Sequence, residues 1–406
     1  MPGSKSETNR ALVLAALADA PGTISGGLRS RDSQLMMDAL RALGAEIDDS
    51  GDVWRIVPPA EPTPAPAGID CGLAGTVMRF VPPIAALASG PTYFYGDEHA
   101  SARPMQGLLS ALRQLGAEID ADRLPFTIDA PDSLGGPEVE VDATASSQFV
   151  SALLLAAPRF PLGLSLRHVG DALPSRPHID MTVGWLRERG VDVAELEGDA
   201  WVVSPGPIAG VDAVVEPDLT NASVFLAAAA LTGGEVRVPH WPADSLQPGQ
   251  LFAEVLDGFG VDHDLSDHTF TVTGGRPLRA IDFDLHDASE LTPVVAAMAL
   301  FADGTSRIRG VGHIRGHETD RLAALVTEFQ RLGADASATD DGLIIEGRGA
   351  QGAGLSGTVF GCYADHRMAH AGALIGLVVD GVRLDDVAAT SKTMPDFPER
   401  WMGLVS

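Results

Sequence analysis

Lysine occurs only twice in the 406-residue chain, at Lys5 and Lys392, and arginine supplies every other permanently positive side chain. Both lysines lie among hydroxyls, in Ser4-Lys5-Ser6 and in Thr390-Ser391-Lys392-Thr393. An ammonium is compact and can release its proton, whereas a guanidinium cannot. Lysine kept only at such positions suits anion binding or proton transfer. The run Pro2-Gly3-Ser4-Lys5-Ser6-Glu7 leads into an apolar stretch over 11–18. Ser4 or Ser6 can cap the helix expected there, and Glu7 holds the capping-box position relative to Ser4. Lys5 and Ser6 then stand at a helix N-terminus, where open N–H groups and the positive dipole end favour an anion.

The same layout, a polar or basic cluster followed by an apolar helix, recurs along the chain. Gly72-Leu73-Ala74-Gly75-Thr76-Val77-Met78-Arg79 turns into a helix predicted over 77–88. Gly75 would let a ligand approach the backbone with Arg79 one turn on; a plain helix start is the other reading. Arg103, ahead of Pro104, is held extended and can project its fork into a cleft, or serve as a surface arginine. Ser146-Ser147-Gln148 before the apolar 150–157 reads as a phosphate cradle or as an ordinary N-cap. Ser175, between Pro174 and Pro177, offers a hydroxyl at a turn.

The second half adds acids and histidines. Asp287 and Glu290 precede a buried stretch over 294–301, where a carboxylate can cap the helix or act as general base. His313 and His317 have a metal-like i, i+4 spacing, but Gly312 and Gly316 indicate a loop and no histidine follows Glu318 at HExxH spacing. Convergence of a base, Glu318 and Arg321 on one ligand is expected instead of a metal. Asp365 can cap the next helix and leave Arg367 in its first turn. A cation at that positive end is locally unfavourable unless it serves an anion.

An internal repeat positions these runs. Leu40-Arg41-Ala42-Leu43-Gly44-Ala45-Glu46-Ile47 recurs as Leu112-Arg113-Gln114-Leu115-Gly116-Ala117-Glu118-Ile119, with weaker copies ending at Gly190, Gly260 and Gly333. The spacing is about 70 residues, which needs more than one helix and one strand per copy. Each copy predicts a helix stopped by a left-handed glycine and then a strand. Val53–Val57 and residues 125–128 read as further strands, and Pro58 to Pro66 as a surface loop. Five copies and an incomplete sixth imply two domains of three units, with the boundary near Val215-Glu216-Pro217-Asp218.

Bulk composition bounds the partners. The net charge of −27 disfavours nucleic acid and anionic membranes, so a basic site must be assembled locally. Cys71 and Cys362, the only cysteines, suggest neither a disulfide framework nor a zinc site. The polar opening run is unlike a secretory leader, no apolar run approaches membrane-spanning length, and a cytoplasmic monomer is expected.

Five runs carry a resemblance that spans essentially the whole chain. They are Pro2-Gly3-Ser4-Lys5-Ser6 with Asn9-Arg10, Ala74-Gly75-Thr76 with Met78-Arg79, Ser146-Ser147-Gln148-Phe149, Glu318-Thr319-Asp320-Arg321-Leu322, and Asp365-His366-Arg367-Met368. In this order the chain resembles the 5-enolpyruvylshikimate-3-phosphate synthases. The resemblance implies the enolpyruvyl transferase fold, an α/β, two-domain inside-out α/β barrel with three βαβαββ repeats per domain. Residues 5–217 would form the first domain, and 1–4 with 218–406 the second. It implies transfer of the enolpyruvyl group of phosphoenolpyruvate to the 5-hydroxyl of shikimate 3-phosphate, releasing phosphate, on the route to chorismate and aromatic amino acids. No metal or organic cofactor is implied.

Residue by residue, the resemblance assigns shikimate 3-phosphate to Lys5, Ser6, Arg10, Ser146, Ser147, Gln148, Ser175, Glu290, His313 and His317. It assigns phosphoenolpyruvate to Lys5, Gly75, Arg79, Arg103, Gln148, Arg321, Arg367 and Lys392. Glu290 stands where the family has the carboxylate that takes the 5-hydroxyl proton, with Asp287 the competing position. Glu318 would help protonate the methylene carbon, with Lys5 and Lys392 completing the catalytic set. Glyphosate sensitivity is expected from the bare backbone at Gly75. The chain departs from the family at Leu73, His178, His313 and His317, where asparagine, tyrosine, asparagine and lysine are usual. A further strand of the second domain usually precedes the Lys5 run. The sister UDP-N-acetylglucosamine enolpyruvyl transferases carry a reactive cysteine where this chain has Glu98.

Overall fold

The computed structural model describes residues 1–65, 67–130, 134–136 and 138–405. Two compact units divide the chain, Pro2–Val215 on one side and Met1 with residues from Glu216 onward on the other. Pro2–Ser4 group with the Lys5 helix that they lead into.

In the first unit three four-stranded sheets share one plan. Ile69–Asp70 pairs in parallel with Thr92–Tyr95, which pairs antiparallel with Phe126–Asp129, which pairs antiparallel with Glu118–Ile119. Helices Gly75–Ala85 and Gln106–Gln114 fill the crossovers, which makes a βαβαββ module. Strands Glu138–Val141, Leu164–His168, Ala200–Val203 and Val193–Leu196 repeat the plan. The third module is assembled from both ends of the unit. Its first strand, Asp212–Val214, pairs in parallel with Gly22–Ser25, Thr23 opposite Asp212.

The second unit holds one complete copy, Asp282–Asp284, Thr305–Arg309, Leu343–Glu346 and Ala336–Ala338. Beside it lie a three-stranded sheet (Glu235–Pro239, Thr269–Thr273, Asp262–Ser266) and a parallel pair, Val359–Phe360 with Arg383–Leu384. A second short parallel pair joins Leu278–Arg279 to Ala302–Asp303.

Helices occupy the interior. All eleven residues of Gly75–Ala85 and all eight of Thr292–Ala299 are buried. A helix buried along its whole length must be enclosed by neighbouring elements. Gly75–Ala85 accordingly packs on Gln148–Ala156, and Thr292–Ala299 on His366–Ile375. Strands alternate instead, as Val53–Val57 and Thr305–Arg309 do, and turn one face to water. Helices inside and sheets outside reverse the usual layering. Gly44, Gly116, Gly190, Gly260 and Gly333 follow helices with φ of 103°, 101°, 77°, 79° and 95°. These are the left-handed stops that the repeat predicts. Residues 58–65 form neither helix nor strand, and Pro66 lies outside the described residues. Among the described residues no helix is long and apolar enough to cross a membrane.

Candidate active site

Each unit carries its own cluster of the singled-out side chains. In the first, helix Lys5–Ala16 begins at Lys5, and the Ser4 hydroxyl caps it by accepting the Glu7 N–H at 3.4 Å. Lys5 Nζ lies 3.4 Å from Asp32, a carboxylate in the first turn of helix Arg31–Ala42. Ser30 and Ser33 form the capping box that fixes this turn. Asn9 Nδ2 donates to Thr76 Oγ1 at 2.5 Å and ties the Lys5 helix to the Gly75 helix.

Gly75, Arg79, Arg103 and Gln148 come together. No side chain caps the Gly75 helix. A Cβ at position 75 would sit 2.8 Å from Arg79 Nη1 and 2.9 Å from Arg103 Nη2, so only glycine leaves both guanidiniums in place. Arg79 donates to Pro104 O at 2.9 Å and to Gln148 Oε1 at 3.4 Å. Arg103 is extended, with φ −78° and ψ 140°, and donates to Leu73 O at 3.1 Å. Ser147 is the N-cap residue of Gln148–Ala156 but makes no capping bond; Ser146 Oγ accepts the Gln148 N–H at 3.3 Å instead. Ser175 is buried and left-handed, with φ 51°.

Arg10 lies on the same helix as Lys5. It is 1% exposed, and its guanidinium donates to Thr182, Ser151 and the carbonyls of Ser6 and His178. Burial pushes its pKa down to about 10. It joins the Lys5 helix to the turn after Ser175 from inside.

In the second unit Arg321 is the hub. It opens helix Arg321–Leu332, which Asp320 caps. Nε is 2.7 Å from Asp365 Oδ2, Nη2 is 2.7 Å from Glu318 Oε2, and Nη1 donates to His317 Nδ1 at 2.9 Å. The His317 proton therefore sits on Nε2. Lys392 contacts the other Glu318 oxygen. Burial alone would lower the Arg321 pKa, but Asp365 and Glu318 outweigh it and raise it. Asp365 also accepts the Arg367 N–H at 2.9 Å as the N-cap of helix His366–Ile375. Arg367 has its pKa lowered by burial and by Arg321, which marks a cation short of compensating charge.

Glu290 is half-buried and acts electrostatically on His313, His317, Arg321 and Arg367. Asp287 is exposed. His313 Nε2 lies 2.9 Å from Ser289 Oγ. Burial, opposed by Glu290, brings the His313 pKa down to about 4 and takes His317 well below its ordinary value. Both imidazoles are neutral hydrogen-bonding groups near pH 7. Among the described residues no group of three or more His, Cys, Asp or Glu side chains is placed to hold a metal. Sequence reasoning missed Asp32. The signal was present, because a Ser-x-x-Ser start to helix 31–42 puts position 32 in the first turn.

Two comparisons bear on this arrangement. Solved structures of EPSP synthase from Acinetobacter baumannii match with TM-score 0.79: one at 24% identity, covering 100% of this chain and 93% of the other, and one at 23% identity, covering 99% and 94%. At that identity the likeness speaks for the fold. The family model described as EPSP synthase (3-phosphoshikimate 1-carboxyvinyltransferase) matches residues 1–401. With nearly every residue inside that match, the chain belongs to the EPSP synthase family.

Proposed function

We propose that residues of both clusters hold the substrates and that Glu290, Glu318, Lys5 and Lys392 form the catalytic set of the family's reaction. The enzyme transfers the carboxyvinyl group of phosphoenolpyruvate to the 5-hydroxyl of shikimate 3-phosphate and releases phosphate. Lys5, Ser6, Arg10, Ser146, Ser147, Gln148 and Ser175 offer an ammonium, a guanidinium, hydroxyls and an amide to the phosphorylated acid. His313 and His317 exchange hydrogen bonds with its hydroxyl or phosphate oxygens without adding charge. Gly75, Arg79, Arg103, Arg321, Arg367 and Lys392 receive the carboxylate and phosphate of phosphoenolpyruvate, as bidentate guanidiniums do.

Glu290 takes the proton from the 5-hydroxyl, and the oxygen attacks C2 of phosphoenolpyruvate. Glu318 helps to protonate the methylene carbon, which gives a tetrahedral ketal phosphate, and Lys5 and Lys392 complete the catalytic set. Loss of phosphate and of a methyl proton then forms the enolpyruvyl ether. Fixed cations stabilise the developing and leaving charge, the kind of term that dominates many enzymatic rate enhancements. The observation that carries this reading is Glu318, enclosed between Lys392 and Arg321 and next in sequence to the neutral His317.

We further propose that the enzyme works as a monomer in the cytoplasm and does not engage nucleic acid. The net charge of −27 and the two unpaired, buried cysteines support that reading. The test is phosphate release by purified protein mixed with both substrates, with UDP-N-acetylglucosamine as the competing acceptor. Release that depends on shikimate 3-phosphate supports the reading; release only with the nucleotide sugar, or none, overturns it.

A further inference from the structure

We propose that Tyr363 and Glu328 are positioning residues for phosphoenolpyruvate, clamping the backbone turn that sets Asp365 and Arg367. The proposal rests on the reading above that Arg321 and Arg367 receive this substrate.

Tyr363 and Ala364 are consecutive left-handed residues, with φ of 56° and 53°. Neither is glycine, so the conformation is strained and persists only when its surroundings enforce it. The chain then enters Asp365, which caps the next helix through Arg367 N–H and holds Arg321. Relaxation at 363–364 would turn both arginines.

Helix Arg321–Leu332 enforces the turn at two points. Arg321 pairs with Asp365 at its start. Seven residues on, and so on the same helix face, Glu328 accepts the Tyr363 hydroxyl at 2.8 Å. Glu328 is 0% exposed, and its two oxygens also accept from Arg331 Nη1 at 2.9 Å each. Tyr363 is 41% exposed, so its ring contributes little core packing and its hydroxyl is the anchored part. Burial of the hydroxyl and the bond to Glu328 push its pKa up to about 12, which keeps it a donor under assay conditions. Position 361 completes the clamp. A Cβ there would lie 2.9 Å from both Glu328 Oε1 and Tyr363 Cε2, so glycine is what lets the two meet.

The test is steady-state kinetics for Tyr363→Phe, Ala364→Gly, their combination and Arg367→Ala, with thermal melts for each. Tyr363→Phe is expected to raise the phosphoenolpyruvate KM about threefold to tenfold, as loss of one hydrogen bond implies, and to leave the shikimate 3-phosphate KM and the melt nearly unchanged. Ala364→Gly accepts the left-handed conformation freely, so the double variant recovers most of the lost affinity. A purely stabilising role would move the melt without splitting the two KM values. A raised phosphoenolpyruvate KM in Arg367→Ala but not in Tyr363→Phe overturns this proposal alone. An unchanged KM in Arg367→Ala overturns the site reading and the proposal with it.

Discussion

Lys5 Nζ lies 3.4 Å from Asp32 Oδ2, and the Asp32 side chain is 3% exposed. The carboxylate thus draws the ammonium over the start of its own helix, where an anion is favoured. Asp32→Asn keeps the shape and removes this charge. Its kcat/KM is expected to fall at least about tenfold, short of the ~100- to 1,000-fold for deleting a transition-state donor itself. Because Lys5 stays partly hydrated, the melting temperature shifts by only about 2–4 °C. Kinetics and calorimetry on the same preparation check both.

Gly75→Ala places a methyl carbon 2.8–3.1 Å from atoms of Arg79 and Arg103. The backbone at 75 is helical and accepts alanine, and the crowded atoms are side-chain ends, so folding survives while the guanidiniums move. The phosphoenolpyruvate KM is expected to rise roughly tenfold, about 1.4 kcal/mol of lost binding. Glyphosate, measured by inhibition curves on the same variant, loses potency alongside.

Lys392→Ala removes one of two cations on Glu318, and Arg321 remains 2.7 Å from that carboxylate. Glu318 is therefore not left as an uncompensated buried charge, the situation that costs most in stability. Turnover with phosphoenolpyruvate should drop about 100-fold or more. The melting temperature should hold within about 4 °C. Parallel losses of activity and stability would count against a chemical role for the lysine.

His370 is 1% exposed and packs tilted against Phe397, ring centres 4.6 Å apart, with the His366 ring edge-on at 5.9 Å. Burial, and secondarily Arg367, bring its pKa down to about 3. Its folded pKa is depressed, so the unfolded chain binds more protons as pH falls below about 6.5, and stability is lost from there towards pH 3. His313, held down at about 4, adds to the loss in the same window. The melting temperature should decline from about pH 7 to about pH 4.5, and His370→Phe should flatten that decline. An equal decline in the variant would remove His370 as its source.

The sequence by itself determined the features whose partners lie within one helical turn. Ser4 caps the helix that begins at Lys5, Asp218 caps Leu219–Thr232, Asp365 caps His366–Ile375, and five glycines stop helices in the left-handed region. These depend on three or four consecutive residues and on steric limits of the backbone, so spacing reveals them. The repeat was legible for the same reason, since each copy ends on one of those glycines. Only the tertiary structure decided which charges meet. Arg321 and Asp365 are 44 positions apart, and Arg10 reaches Thr182 across 172. The inward turn of Arg10, the electrostatic reach of Glu290 to His313 and His317, and the return of Asp212–Val214 to Gly22–Ser25 depend on packing between elements. Burial of an ion stands only where a partner from another element compensates its lost hydration, and no local pattern encodes that partner.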